Sequence, residues 1–450
     1  MTEKHKESGL DRRAFLGTAA VAGAVLAACG GGEAPTVKLG EPIEPGPATA
    51  PEGVALKAGL IGCGGRGTGA AGNFLDAGTG LEVVAMADIF QDRVDSCRQS
   101  LKEQKGVEVP EDRCFSGFDA YERLLAIDEI DYIIIATPPH FRPAQFKAAV
   151  EARKHVFMEK PVAVDPVGIR SIMDTAERAD AFNLRVATGT QRRHQRHYID
   201  AYNVIMNGAI GEIVSARCYW NMGQLWYKEN PGEWSDMEWM IRDWVNWCWL
   251  SGDHIVEQHV HNIDVVNWFT NSHPVKAVGM GGRARRVTGD QFDFFSIDYE
   301  LESGVHVASM CRQVDGCANN VSEALVGTDG SAYLDSKEGR ILDSAGTVLW
   351  QGAQAQMEGE DYDSGANSPY IQEHIDLVTA IRTDGELNEA RNTAISTLTA
   401  IMGRISAYTG QATTWDEMMA SDLRLGPEEY VLGDVALEAV PPVPGIQESA

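Results

Sequence analysis

An apolar run, Val54-Ala55-Leu56-Lys57-Ala58-Gly59-Leu60-Ile61, passes without a break into Gly62-Cys63-Gly64-Gly65-Arg66-Gly67. The run reads as a buried strand, and the small-residue stretch from Thr68 to Ala77 reads as the helix that follows it. Each glycine then has a job. Gly62 permits a tight turn, Gly64 lets backbone approach a pyrophosphate, and Gly67 allows close helix–strand packing. The helix start presents free N–H groups and a positive dipole end to phosphates. A second strand, Glu82 to Ala87, ends at Asp88, 21 residues beyond Gly67. A carboxylate there accepts ribose hydroxyls and repels a 2′-phosphate, so NAD is expected rather than NADP. A glycine turn between packed elements would explain neither Gly67 nor Asp88. The expected cofactor-binding residues are Gly62, Cys63, Gly64, Gly65, Arg66, Gly67 and Asp88.

Strands and helices go on alternating as a doubly wound parallel sheet requires. Asp131 to Ala136 reads as a buried strand ending in Thr137-Pro138-Pro139-His140, and His155 to Met158 as another ending in Glu159-Lys160-Pro161. Both ends belong at the carboxyl edge of the sheet, where ligands bind. Thr137, Pro138, His140, Glu159 and Lys160 therefore join the cofactor set. Asp165-Pro166 supplies an N-cap and a proline for the first helical turn. This α/β Rossmann domain is expected over 54–185 and a second domain over 186–435. In the second domain, Val278 to Arg312 alternates apolar and polar residues like antiparallel strands, most clearly over Phe294 to Leu301. Ile341 to Gly365 is acidic and carries little signal. Glu389 to Tyr408 predicts a long helix with Leu398, Ile401, Met402 and Ile405 on one face. Residues 436–450 read as a loose tail.

The N-terminus reads differently. Asp11-Arg12-Arg13-Ala14-Phe15-Leu16 precedes an apolar stretch that ends Leu26-Ala27-Ala28-Cys29. Residues 1–29 resemble a twin-arginine export signal with a lipobox, in which Cys29 carries the lipid. The stretch is too short to span a hydrocarbon layer of ~30 Å. An amphipathic first helix is the alternative, but the stretch has no polar face. Residues 30–53 hold Pro35, Pro42, Pro45, Pro47 and Pro51 and read as an extended tether. The expectation is an exported, periplasmic or cell-envelope lipoprotein that meets the membrane only through its anchor.

With 65 acidic against 38 basic residues the net charge is −27. Such a surface repels phosphate backbones, so nucleic acid is excluded as a partner. The eight cysteines match no zinc spacing.

The glycine fingerprint, the Thr-Pro loop and the Glu-Lys-Pro triplet together resemble the glucose–fructose oxidoreductase / inositol dehydrogenase (Gfo/Idh/MocA) family, from about residue 55 to about 425. The resemblance implies a second α+β domain with an open, mostly antiparallel sheet, and a substrate held between the domains. It also implies that Lys160 lies near the nicotinamide and the reacting hydroxyl. A second signature falls at Glu257-Gln258-His259-Val260-His261-Asn262-Ile263-Asp264. Here His261 matches the catalytic histidine and Asp264 the trailing acid, while Glu257 stands where the family usually has Asp. Arg142 stands where a histidine is frequent. Sheet-to-sheet pairing, hence a homo-oligomer, is also implied.

The expected catalytic set is Lys160, His261, Glu257 and Asp264. An imidazole can take the hydroxyl proton near neutral pH, and Lys160 can stabilise the developing alkoxide. Glu257 and Asp264 can orient His261 or hold substrate hydroxyls. Each has a plainer alternative: a surface ion pair for Lys160, a core position for His261. On a helix 254, 257 and 261 share a face, but the spacing is not HExxH and no metal is expected. Eight of the ten tryptophans lie between Trp220 and Trp268, and indole faces stack on sugar rings. Trp226, Tyr227, Trp244, Arg193 and His259 are the candidate substrate contacts, with Arg242 and Asp243 beside Trp244. The expected activity is hydride transfer to and from a small-molecule carbohydrate or polyol, with tightly bound NAD recycled within the cycle. The alternative is an NAD-assisted glycoside hydrolase working through a transient keto sugar.

Overall fold

The computed structural model describes residues 40–353, 367–436 and 440–445. Arg12, Arg13 and Cys29 lie outside the described residues.

The first half of the described chain alternates strand and helix: β1 (Leu56–Ile61), α1 (Gly65–Asp76), β2 (Leu81–Asp88), α2 (Gln91–Lys105), β3 (Cys114–Ser116), α3 (Ala120–Leu125), β4 (Tyr132–Ile135), α4 (Arg142–Glu151), β5 (His155–Met158), α5 (Pro166–Ala181) and β6 (Val186–Thr188). The strands form one parallel sheet in the order β3-β2-β1-β4-β5-β6. Helices cover both faces, so the central strands bury nearly every side chain; Tyr132, Ile133, Ile134 and Ile135 of β4 are all at 0 % exposure. Sequence order reverses between β1 and β4, and that switch point opens a crevice at the carboxyl ends of the strands. Asp165 caps α5, accepting from the Gly168 N–H at 2.7 Å, with Pro166 in the first turn.

The second half contains α6 (Arg196–Met206), β7 (Ile213–Met222), α7 (Asp236–Arg242), α8 (Cys248–Ser251), α9 (His254–Glu257), α10 (Val260–Thr270), β8 (Pro274–Gly282), β9 (Phe294–Leu301), β10 (His306–Gln313), β11 (Asn320–Gly327), β12 (Gly330–Asp335), β13 (Glu338–Asp343) and β14 (Val348–Ala353). It ends in α11 (Pro369–Arg382), α12 (Ala390–Thr409), β15 (Thr413–Thr414) and α13 (Trp415–Ala420). Nine strands form an open sheet, β14-β13-β12-β11-β7-β10-β9-β8-β15. It is antiparallel apart from the β7–β10 pair. Alternate residues such as Phe295, Ile297 and Tyr299 pack inward, while Val278, Met280 and Met310 on the other face are exposed.

Three segments depart from the sequence reading. Residues 40–53 do not hang free as a tether. The Ile43 N–H donates to Asn203 Oδ1 and the Asn203 amide returns a bond to Ile43 O, both at 2.8 Å, and Ala50 is buried against Ala77. Proline disfavours helix and ladder, but polar side chains of the body satisfy the extended backbone. Helix α11 returns to the first domain, where Ile375, Leu377 and Val378 complete the core around Phe74 and Tyr132. The acidic stretch from 341 contributes β13 and β14, because their ladder partners, not their composition, define them.

Candidate active site

The glycine loop takes the geometry its residues require. Gly62 has φ +99°, and a Cβ there would meet Thr137 N at 2.6 Å. A Cβ on Gly67 would lie 1.8 Å from Gly62 O. At Gly64 and Gly65 a Cβ would meet nothing within 4 Å, so the space above this turn is open to a ligand. Gly64 caps α1 without any side-chain cap bond, which leaves that helix start for an anion. Asp88 accepts from Cys63 N at 2.7 Å and Phe90 N at 3.0 Å. It thereby ties the end of β2 to the glycine loop, while burial pushes its carboxyl pKa up against those two bonds. Cys63 contributes its backbone alone, for its thiol turns into the core toward Ala87 O.

Beside Asp88 lies a cavity of about 120 Å³, lined among others by Ile61, Asp88, Phe118, Thr137, Phe141 and Tyr430. The open turn, the uncapped helix start and this cavity at the second-strand acid fit the phosphates and adenosine of a dinucleotide. Thr137 is held by a hydroxyl bond to Gln145 at 2.6 Å. Pro138 starts the short turn Pro139–Phe141. Arg142, the departure from the family pattern, is a clamp. Its buried guanidinium donates to Thr137 O (2.9 and 2.6 Å), Glu159 O (2.9 Å) and Pro161 O (2.6 Å), locking the loops after β4 and β5 together. Arg66 reaches from the glycine loop to Glu159, and it stacks 4.9 Å from the Tyr370 ring centroid. Burial raises the Glu159 pKa, but Arg66 and Arg142 outweigh it and hold the carboxyl below its ordinary range.

Lys160, at the end of β5, crosses to the second domain. Its Nζ donates to Glu257 O and lies 3.1 Å from Glu257 Oε1. Both side chains are nearly buried, and Gln258 Nε2 holds the other Glu257 oxygen at 2.6 Å. Four residues on, in the first turn of α10, the His261 ring stacks on Trp220, centroids 5.6 Å apart. No protein group among the described residues bonds its ring nitrogens. Burial, then the charges of Lys160, Arg192 and Arg66, push its pKa well below the ordinary histidine value. The imidazole is thus neutral at neutral pH and able to accept a proton.

Other expected contacts fall elsewhere. Asp264 does not reach His261; it accepts a two-pronged pair from Arg193 (2.8 and 2.9 Å) and a bond from Ser396 Oγ (2.8 Å). Arg193 is therefore committed to Asp264 and packs over Trp268. His259 is a core residue at 0 % exposure, bonded to Ser309 Oγ at 2.7 Å, with its pKa pushed down to about 3 by burial. His259 is the N-cap of α10 and His261 lies in its first turn, and their rings meet different partners, Ser309 and Trp220. His140 bonds Tyr430 OH at 2.6 Å and packs on Trp249 instead of lining the cavity. Arg242 pairs with Asp92 of α2, tying the domains together. Trp226 and Tyr227 are about half exposed, and Trp226 meets Trp244 edge-on at 6.3 Å.

Sequence reasoning missed two buried polar groups that support this region. Glu323 accepts from Arg192 (2.8 Å), Asn262 (2.6 Å) and Tyr198 (2.9 Å), and burial lifts its pKa to about 7. His194 sits between Asp376 (2.6 Å) and Glu389 (3.1 Å). Burial opposes its charge, but the two carboxylates hold its pKa well above the ordinary value. Strand periodicity marks Glu323 as inward, but nothing local pairs it with Arg192.

Comparison with known proteins agrees with this geometry. Residues 56–188 match the profile described as "Oxidoreductase family, NAD-binding Rossmann fold" of the GFO_IDH_MocA set. Residues 198–333 match "GFO/IDH/MocA C-terminal domain". Together these span more than half of the chain. The chain is 30% identical over 207 residues to a "Glycosyl hydrolase family 109 protein 4" of Phocaeicola vulgatus, covering 43% of this chain and 37% of that protein. It is 26% identical over 220 residues to "Inositol 2-dehydrogenase" of Salmonella typhimurium, covering 48% and 55%. The chain thus spans between about a third and just over half of the length of these relatives. Among solved structures, scyllo-inositol dehydrogenase from Lactobacillus casei "with bound cofactor NAD(H) and scyllo-inositol" superposes with a TM-score of 0.60 at 19% identity, over 82% of this chain and 100% of that one. At that identity the likeness is one of fold.

Proposed function

The chain belongs to the Gfo/Idh/MocA oxidoreductase family, and from that premise we propose that it transfers hydride between NAD and a hydroxyl-bearing carbon of a sugar, polyol or related polyhydroxy compound. One observation carries this reading: Lys160 and Glu257 meet from two domains at 3.1 Å, with a neutral His261 four residues on, in the first turn of α10.

When bound, the nicotinamide supplies the hydride acceptor and donor. The protein's own residues do the rest. Gly62 to Gly67 and the start of α1 hold the phosphates, and Asp88 takes the adenosine ribose; its charge favours NAD over NADP. His261 accepts the hydroxyl proton at a ring nitrogen and returns it in the reverse direction. Lys160 Nζ stabilises the negative charge that develops on the substrate oxygen. Glu257 holds Lys160 in place through its carbonyl and carboxylate. Asp264 acts at one remove, fixing Arg193 against α12. Trp220 backs the His261 ring, and the half-exposed Trp226 and Tyr227, with the partly buried Trp244 beside them, offer stacking faces to a sugar.

The twin arginines and Cys29 support export as a lipoprotein that meets the membrane through its anchor. No helix among the described residues is long and apolar enough to cross a membrane. An exported enzyme has no cytoplasmic NAD pool to draw on, which supports a bound cofactor oxidised and reduced within one cycle. The apolar face with Val278, Met280 and Met310 supports a homo-oligomer. Redox-neutral chemistry admits a second reading, an NAD-assisted glycoside hydrolase, which the likeness to the glycosyl hydrolase family 109 protein favours.

The test is to purify the protein without added cofactor, denature part of it and assay released NAD(H), then offer the intact remainder inositols, aldoses and aryl glycosides. Bound NAD with interconversion of polyols or sugars supports the first reading. Aglycone release at constant total NAD supports the second. Failure to bind any dinucleotide overturns both.

A further inference from the structure

After α13 the chain does not leave the body. Residues 421–436 run back across both domains as a strap. At its near end, Arg170 holds Met419 O and Ser421 O (3.0 and 2.6 Å), and Leu425 N donates to Asp165 Oδ2 at 2.9 Å. Gly426, at φ +97°, lies so close to His140 that a Cβ would approach its ring to 2.8 Å. At the far end the strap is tied to the second domain: Met237 N donates to Gly433 O at 3.1 Å, and Val435 N to Asp236 Oδ2 at 3.3 Å. Between these anchors Tyr430 points inward. Its ring packs 6.0 Å from Phe118 and 5.5 Å from Phe141, and its hydroxyl meets His140 Nε2 at 2.6 Å.

Tyr430 also lines the cavity that opens beside Asp88 and Thr137. Apart from it, that cavity is walled by the carboxyl ends of β1 and β2, by Gly117–Tyr121 and by the loop and helix from Thr137 to Gln145. The strap adds the wall that the Rossmann domain itself lacks. We infer that Tyr430 is a positioning residue for the adenosine half of the dinucleotide, and that the strap must lift before the cofactor can leave. The inference rests on the reading that this site binds NAD.

The strap is suited to this. Leu425 and Val435 pack on the core at its two ends, but Val431 and Leu432 are exposed at 63% and 49%, so between the ends the Tyr430 ring is its main apolar contact. Segments so lightly packed open at far lower cost than the core. Release of the cofactor is then limited by loss of the Tyr430 contacts.

The test uses the full-length purified chain loaded with NADH and chased with excess NAD. Release is followed by the loss of bound-NADH fluorescence. Tyr430→Phe, which loses the His140 bond and keeps the ring, raises the release rate about 5-fold. Tyr430→Ala raises it by about 30-fold or more. As a check independent of substitution, AMP added to the wild-type chain slows amide hydrogen exchange across 425–435. If NADH binds but both variants release it at the wild-type rate, or AMP leaves exchange of the strap unchanged, the strap has no such role. If wild type binds neither NADH nor AMP, the cofactor reading falls, and the strap inference with it.

Discussion

Lys160 of the first domain and Glu257 of the second form one ion pair, Nζ to Oε1 3.1 Å, with only about a tenth of either side chain exposed. So buried a pair is costly to break, because removing one partner strands the other charge. Lys160→Met is expected to lower kcat by about 10³-fold, within the range for a lost acid–base or electrostatic group. Glu257→Gln keeps the shape and the carbonyl contact to Lys160, and is expected to lower kcat/KM by about 10-fold. Steady-state kinetics on any accepted polyol or sugar checks both. Wild-type kcat in Lys160→Met would show that the pair is structural only.

His261 carries the pH dependence. Burial and the Lys160 charge lower its pKa, so protonation, and loss of the base, sets in below the ordinary histidine range. The acid limb of kcat/KM therefore lies below pH ~6.5. Removing the neighbouring positive charge must raise the pKa. In Lys160→Met the His261 ring, followed by NMR, is expected to titrate at higher pH than in wild type. An unmoved titration would place Lys160 away from it.

Gly64 and Gly67 separate cofactor binding from folding. A methyl at Gly64 meets no protein atom within 4 Å, whereas one at Gly67 collides with Gly62 O at 1.8 Å. Gly64→Ala is expected to leave Tm nearly unchanged but to weaken NAD(H) binding by about 10-fold or more. Gly67→Ala is expected to cost about 3 kcal/mol or more of stability. Calorimetry with and without NAD distinguishes the two.

Arg142 makes four bonds to three carbonyls of the loops that carry Thr137 and Lys160. Arg142→Ala leaves these acceptors without their donor and is expected to destabilise the fold by about 3 kcal/mol. Lysine cannot reproduce the planar fork, so Arg142→Lys recovers only part of that loss. Full recovery by lysine in chemical denaturation would contradict the clamp.

Local chemistry made the first domain legible. Glycines at 62, 64 and 67, apolar runs of strand length and the Asp165-Pro166 cap each act within a few residues. The family resemblance added the open sheet of the second domain. What stayed hidden depends on distant partners. Nothing near Arg142 says that it binds three carbonyls, and nothing near Tyr430 says that it faces Phe118. His259 and His261 look alike in sequence, yet one bonds Ser309 within the core and the other lies against Trp220 near Lys160. Around Ile341, β13 forms only through pairing with β12, and β14 only through pairing with β13.

The central claim is that hydride moves between a nicotinamide and a substrate carbon beside Lys160, Glu257 and His261. Its most direct test is a stopped-flow experiment in which the NAD-loaded protein meets an accepted sugar or polyol, with reduced-nicotinamide absorbance as the signal. A transient of reduced cofactor is predicted, slowed by deuterium at the reacting carbon and abolished in His261→Asn. Turnover of that substrate with no such transient and no deuterium effect would contradict the account.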